Sequence, residues 1–150
     1  MDHRLLHGQV AVAWFNTIGA NTILIVNDDV SKNESRKNIM RLARPANAKL
    51  VMKSVEDSIQ AINSGSTDKY DLFVVTENIQ DAYQLITGTS VFNTLNLGGT
   101  KAEAGKKNIS KTINISEQEE ILLNELIEKG IEVEIRQVPT DRKIIYKDKM

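Results

Sequence analysis

A chain of 150 residues, 41% hydrophobic and 26% charged, has the length and composition of one folded domain and is too apolar for a disordered one. Its 19 Lys and Arg nearly balance its 20 Asp and Glu, and a net charge of -1 gives no overall attraction to nucleic acid or to an anionic membrane. The absence of cysteine excludes disulfide scaffolds, thiolate zinc sites and cysteine nucleophiles.

In chain order, "VAVAWFNTIG" predicts a helix that begins near Gly8 or Gln9, with apolar residues at Val10, Ala13, Trp14 and Ile18 and a stop at Gly19. "NTILIVN" is a β-branched run between polar residues, the pattern of a buried parallel strand. "SKNESRKNIMRLA" has helical spacing at Ile39, Leu42 and Ala43, and Pro45 stops it. "AKLVMK" reads as the next strand. "SVEDSIQAIN" is a helix in which Ser54 and Asp57 have roughly capping-box spacing, with Gly65 past its end. "YDLFVVT" is a clear strand, and "NIQDAYQLIT" a helix capped by Asn78 and followed by Gly88. "FNTLNLGG" is a weaker strand running into a glycine pair, and "ISKTINI" a short strand. "SEQEEILLNELIEKG" carries a capping box at Ser116 and Glu119, an apolar face at Ile121, Leu122, Leu126 and Ile127, and a terminal Gly130. "IEVEIRQV" alternates with period two, which predicts a half-exposed edge or antiparallel strand.

Strands alternating with helices predict a three-layer α/β/α fold: a mostly parallel central sheet, helices on both faces and a C-terminal edge or antiparallel strand. No repeat, low-complexity stretch or linker divides the chain, so residues 1–150 read as a single domain. No apolar run reaches the length of a membrane span and no signal-peptide core follows Met1, which gives the expectation of a soluble cytoplasmic protein.

In such folds ligands gather where strands end and the following helices begin. Both histidines of the chain lie in one such stretch, "DHRLLHGQV". His7 falls just before a helix amino terminus, whose unpaired N–H groups and partial positive charge suit an anion. Gly8 permits close backbone approach, and the planar guanidinium of Arg4 can grip two phosphate oxygens. A helix amino terminus also disfavours an imidazolium, and a neutral ring nitrogen beside an oxyanion site is what phosphoryl transfer to histidine needs. Three other readings compete. His7 taken alone is an ordinary surface or capping histidine. His3, Arg4 and His7 form a weak metal site without the spacing or ligand number of zinc. The same helix terminus also serves a non-catalytic α/β anion- or nucleotide-binding regulatory module, although no Walker or Gly-x-Gly-x-x-Gly pattern is present.

"DHRLLHGQVAVAW" closely resembles the active-site segment of the IIB components of the mannose–sorbose family of the bacterial sugar phosphotransferase system. That family's pattern is Asp-(Asp/His)-Arg-Leu-(Ile/Leu)-His-Gly-Gln-Val with a tryptophan further along the helix. "NDDVSKNESRK", "NLGG" and "GIEVEIRQVPTD" resemble later family segments, and the likeness runs in order along essentially the whole chain. It implies that His7 accepts a phosphoryl group from a phosphorylated IIA protein or domain and passes it to a sugar, a hexose or N-acetylhexosamine, bound in a membrane IIC/IID permease. Arg4 and Arg36 would neutralise the phosphoryl group in transit. Asp2, Gly8 and Gln9 would complete the phosphate loop, Asp28 and Asp29 would shape the rim near Arg36, and Gly98–Gly99 would lie near the same crevice. Leu5, Leu6 and the loop near Gly98 are candidates for an apolar docking patch, with core burial the simpler role for the leucines. The resemblance implies no metal or organic cofactor and no nucleic-acid partner, and it is compatible with a homodimer. This variant of the motif is similar to those of amino-sugar systems such as N-acetylgalactosamine. Family members carry a short strand directly before the Asp-x-Arg segment, so the expectation here is a first strand upstream of Met1, without which neighbouring strand edges are left unpaired.

Overall fold

The computed structural model describes residues 1–149. Strand β1 (Thr22–Val26) is buried along its length and sits between β2 (Lys49–Lys53) and β3 (Leu72–Thr76). All three run parallel, with Leu24 in register with Val51 and Val74. Successive side chains of β1 point to opposite faces. Ile23 and Ile25 pack with Ala11 and Phe15 of α1 (Gly8–Ile18), Val30 of α2 (Asp28–Lys32) and Met40 of α3 (Glu34–Leu42). Leu24 and Val26 pack with Val55 and Ile62 of α4 (Val55–Asn63) and Leu85 of α5 (Ile79–Thr87). A strand covered on both faces explains the uninterrupted apolar run in the sequence.

The second half of the molecule is a three-stranded unit. β4 (Thr94–Leu97) pairs in parallel with β7 (Glu132–Ile135), which pairs on its other side with the antiparallel β8 (Ile144–Ile145). Leu95, Leu97, Val133 and Ile135 share a core with α5, with α6 (Glu117–Glu128) and with the buried Tyr146. A small hairpin joins β5 (Lys107–Asn108) to β6 (Asn114–Ile115). The two halves form a three-layer α/β/α arrangement, and no described helix is long and apolar enough to cross a membrane.

β3 and β4 face each other without pairing. Met1–His3 bridges their carboxyl ends. The Asp2 N–H donates to Thr76 O (2.9 Å), the Gly98 N–H to Met1 O (2.8 Å), and the His3 N–H to Gly99 O (3.0 Å). The Met1 nitrogen reaches Asn96 O at 2.8 Å. Behind this bridge lies a cleft of about 430 Å³ between Leu72–Val75 and Thr94–Asn96, roofed by Val10 and Trp14 on one side and Leu85 and Phe92 on the other.

Several elements depart from the sequence reading for local reasons. The expected helix over residues 31–43 is two helices, because Asn27 caps α2 through Val30 N–H and Asn33 starts α3 afresh through Arg36 N–H. That restart turns Met40 inward and leaves Leu42 89% exposed. The buried stripe of α1 is Ala11 and Phe15; Val10 and Trp14 line the cleft instead. In α6 the capping box of Ser116 and Glu119 is complete, and it sets a buried face of Glu119, Leu123 and Leu126, with Ile121 outward. "ISKTINI" contributes Asn114–Ile115, and its partner Lys107–Asn108 carries no strand pattern in sequence. "IEVEIRQV" is an interior strand, not an edge. Its buried Glu134 is tied to Arg136 through both carboxylate oxygens (3.0 and 3.2 Å), so an alternating pattern here reflects a buried ion pair. The antiparallel C-terminal strand is β8.

Candidate functional site

The site grows from the bridge between the two half-sheets. After Asp2 the chain turns at once, with the Leu5 N–H returning to Asp2 O (2.9 Å) and Leu5 in the left-handed region at φ 57°. A leucine there is strained unless its surroundings hold it. Leu5 and Leu6 are both buried in the core beneath α1 and supply that hold, so they offer no docking patch. The loop then delivers His7 as the N-cap of α1, its carbonyl receiving the Ala11 N–H at 3.2 Å. Asn27, Asn33, Ser54, Asn78 and Ser116 each cap their helices by accepting an N–H in the first turn. α1 has no side-chain cap. Its first-turn N–H groups, among them those of the exposed Gly8 and Gln9, therefore have no side-chain acceptor at the cap, and they follow His7 directly in the chain.

Asp2 is the hub. One carboxylate oxygen, Oδ1, accepts the Arg4 backbone N–H at 2.9 Å and Arg4 Nε at 3.4 Å. The other, Oδ2, lies 3.2 Å from His7 Nε2. Burial pushes the Asp2 carboxyl up, but the Arg4 N–H, the His7 ring and the Arg4 guanidinium together outweigh it and hold the group below its ordinary value. An ionised Asp2 accepts, so Nε2 is the donor of this contact and Nδ1 is the ring nitrogen it leaves unengaged. No hydrogen bond within the described residues engages that nitrogen. Gly98 and Gly99 close against the same carboxylate. A Cβ on Gly98 would stand 3.1 Å from Met1 O and 3.4 Å from Asp2 Oδ2, and one on Gly99 3.4 Å from that oxygen. His3 packs alongside, its Nδ1 buried without a partner and 3.8 Å from Asp2 Oδ1.

Arg36 stands across the rim. Its guanidinium donates to Glu77 Oε2 at 2.7 Å and to Asp29 Oδ2 at 2.9 Å, and these contacts, Glu77 first, raise its pKa further. No hydrogen bond joins it to His7 or Arg4 among the described residues. Asp28 Oδ1 accepts the Val55 N–H at 2.9 Å and so ties the start of α2 to the start of α4. Asp81 completes an acidic rim, its carboxyl pushed up by burial and then by Asp28 and Glu77. The structure thus gathers Asp2, Arg4, His7, Gly98 and Gly99 at one point and sets Arg36, Asp28 and Asp29 apart. Glu77 drew no attention in the sequence; its position directly after a strand, where site residues collect, was the available signal. No trio of His, Cys, Asp and Glu side chains with metal-ligand geometry occurs among the described residues.

Comparison with known proteins decides the family. The sequence model described as "PTS system sorbose subfamily IIB component" matches residues 1–149. The chain belongs to that subfamily. It is therefore a sugar-specific IIB component of a phosphotransferase system, and a transferase. The fructose-specific EIIB component of Bacillus subtilis (strain 168) is 30% identical over 141 residues, which cover 94% of this chain and 86% of that protein. The crystal structure of the IIBSor domain of the sorbose permease from Klebsiella pneumoniae superposes with a TM-score of 0.93 at 30% identity, over 99% of this chain and 91% of that one. The mannose-specific EIIAB component of Escherichia coli (strain K12) is 27% identical over 148 residues, 99% of this IIB chain and 46% of that longer protein.

Proposed function

We propose that His7 is the phosphoryl carrier of this IIB component. Its Nδ1 attacks the phosphorus of a phosphohistidine on a IIA protein or domain. The bond from phosphorus to the donor ring breaks as the bond to Nδ1 forms, and the donor nitrogen keeps the electron pair. In the second transfer a hydroxyl of a hexose or N-acetylhexosamine held by a IIC/IID permease attacks the same phosphorus; the bond from phosphorus to Nδ1 breaks, the pair returns to Nδ1, and the hydroxyl proton passes to a base of the permease site or to water. The observation that carries this reading is the Asp2–His7 hydrogen bond at 3.2 Å, which occupies Nε2 and leaves Nδ1 as the nucleophile. The uncapped first turn of α1 and the Arg4 guanidinium supply donors for the phosphoryl oxygens. The relative named EIIAB supports a IIA partner, since IIA and IIB share one polypeptide there. A carrier that shuttles between IIA and a permease works at the cytoplasmic face of the membrane.

The test is phosphorylation of the purified chain by phosphoenolpyruvate, the general phosphocarrier, its kinase and a matching IIA. One acid-labile label is expected, mapping to His7 and bound at Nδ1 by phosphorus NMR. Label that persists in His7→Ala, or that maps to His3, rules the assignment out.

A further inference from the structure

We propose that Glu77 is a positioning residue: with Asp29 it parks the Arg36 guanidinium at the rim, and a phosphoryl group arriving at His7 draws that guanidinium away. This rests on His7 as the phosphoryl acceptor.

Three elements set the arrangement. Arg36 projects from the first turn of α3, fixed by the Asn33 cap at 3.2 Å. Asp29 lies in the first turn of α2, and Glu77 directly follows Thr76, whose carbonyl holds the Asp2 N–H at 2.9 Å. The parking carboxylate is therefore rooted one residue from the strand end that carries the His7 loop. Asp29 takes Nη1 and Glu77 takes Nη2, so a third anion that seeks both of these nitrogens must compete with the two carboxylates.

The pair is built to be exchanged. Arg36 and Glu77 are about a third exposed, at 31% and 30%, and Asp29 is more open. Pairs this wet are held weakly, whereas a fully buried pair would be locked. A phosphoryl group brings about two negative charges and three acceptor oxygens to the fork, against one charge from each carboxylate. Once the phosphoryl group leaves, Glu77 and Asp29, with Asp28 and Asp81 beside them, restore the field that pulls Arg36 back. A carrier needs both halves of that cycle, because an arginine fixed permanently on the phosphate would slow its release.

The experiment is a double-mutant cycle on the whole chain, with inorganic phosphate as the probe and amide NMR of the His7 loop as the readout. Glu77→Gln should bind phosphate about threefold to fivefold tighter than the wild type, the scale of a half-exposed ion pair. In an Arg36→Gln background, the same Glu77→Gln change should add nothing. A gain that survives without Arg36 means that Glu77 merely repels anions, and the proposal falls. No change, or weaker binding in Glu77→Gln, overturns it as well. Should Glu77→Gln not fold, Glu77→Asp shortens the reach by one methylene and must shift affinity in the same direction. Transfer from phospho-IIA to the wild type, followed in parallel, separates the two claims. An unlabelled His7 with an intact cycle sinks the carrier reading and leaves the exchangeable arginine standing.

Discussion

Arg4 and Arg36 each meet carboxylates at the same site, yet the two sides of the rim are built differently. Asp2, the partner of Arg4, is 11% exposed, wedged under Gly98–Gly99 and bonded to three groups at once. The partners of Arg36 are more open, Glu77 at 30% and Asp29 at 61%, and they come from separate segments of the chain. Desolvation makes a buried carboxylate costly to leave unpaired, so Asp2 is fixed and can fix the His7 ring in turn. Glu77 and Asp29 hold by contacts that water and salt compete for. One side of the site supplies geometry, and the other supplies charge that can move.

That contrast can be broken experimentally. Asp2→Asn should have the largest effect, lowering phosphoryl transfer to His7 on the order of 100-fold, because an amide turned to donate to Nε2 forces the proton onto Nδ1. Single-turnover transfer measures it, and a variant within threefold of wild type would show that Asp2 does not set the tautomer. The acid limb of stability should change too. A carboxyl held below its ordinary value stabilises the fold above about pH 4 and loses that contribution on further acidification. Asp2→Asn should therefore flatten the melting temperature against pH in that range. Arg4→Lys comes next: it keeps charge and loses the fork, so transfer should slow about tenfold with the melting temperature nearly unchanged. The smallest effect on transfer, within about twofold, is expected from joining a short extended apolar segment ahead of Met1. We propose that such a segment fills the cleft between β3 and β4 and pairs with both edges, which should raise the melting temperature by about 5 °C or more. An unchanged melting temperature would show that the cleft does not accept a strand.

Most of the architecture is legible because burial writes itself into periodicity. β1 is buried at every position since both faces are covered, and three helices announce themselves by Ser54, Asn78 and Ser116 at the cap. Misreadings cluster where a local signal was outvoted. Asn33 looks like one more polar residue on a helix, yet it ends one helix and starts another. The alternation of β7 suggests exposure, but Glu134 is buried with Arg136, whose guanidinium lies over the Trp14 ring, and the Trp14 indole N–H donates to Gln137 O at 2.9 Å. At the site, the His7 loop was readable from its motif. The capture of Arg36 by Glu77, 41 residues away, depends on the pairing of β1 with β3, which no local pattern encodes.

The bridge formed by Met1–His3 has a mechanical consequence. Among the described residues, the same few peptide groups that stitch β3 to β4 also lead into the His7 loop, so the imidazole rides on the joint of the molecule and not on either block. Heat, urea or a docking protein that strains this joint would misaim the His7 ring.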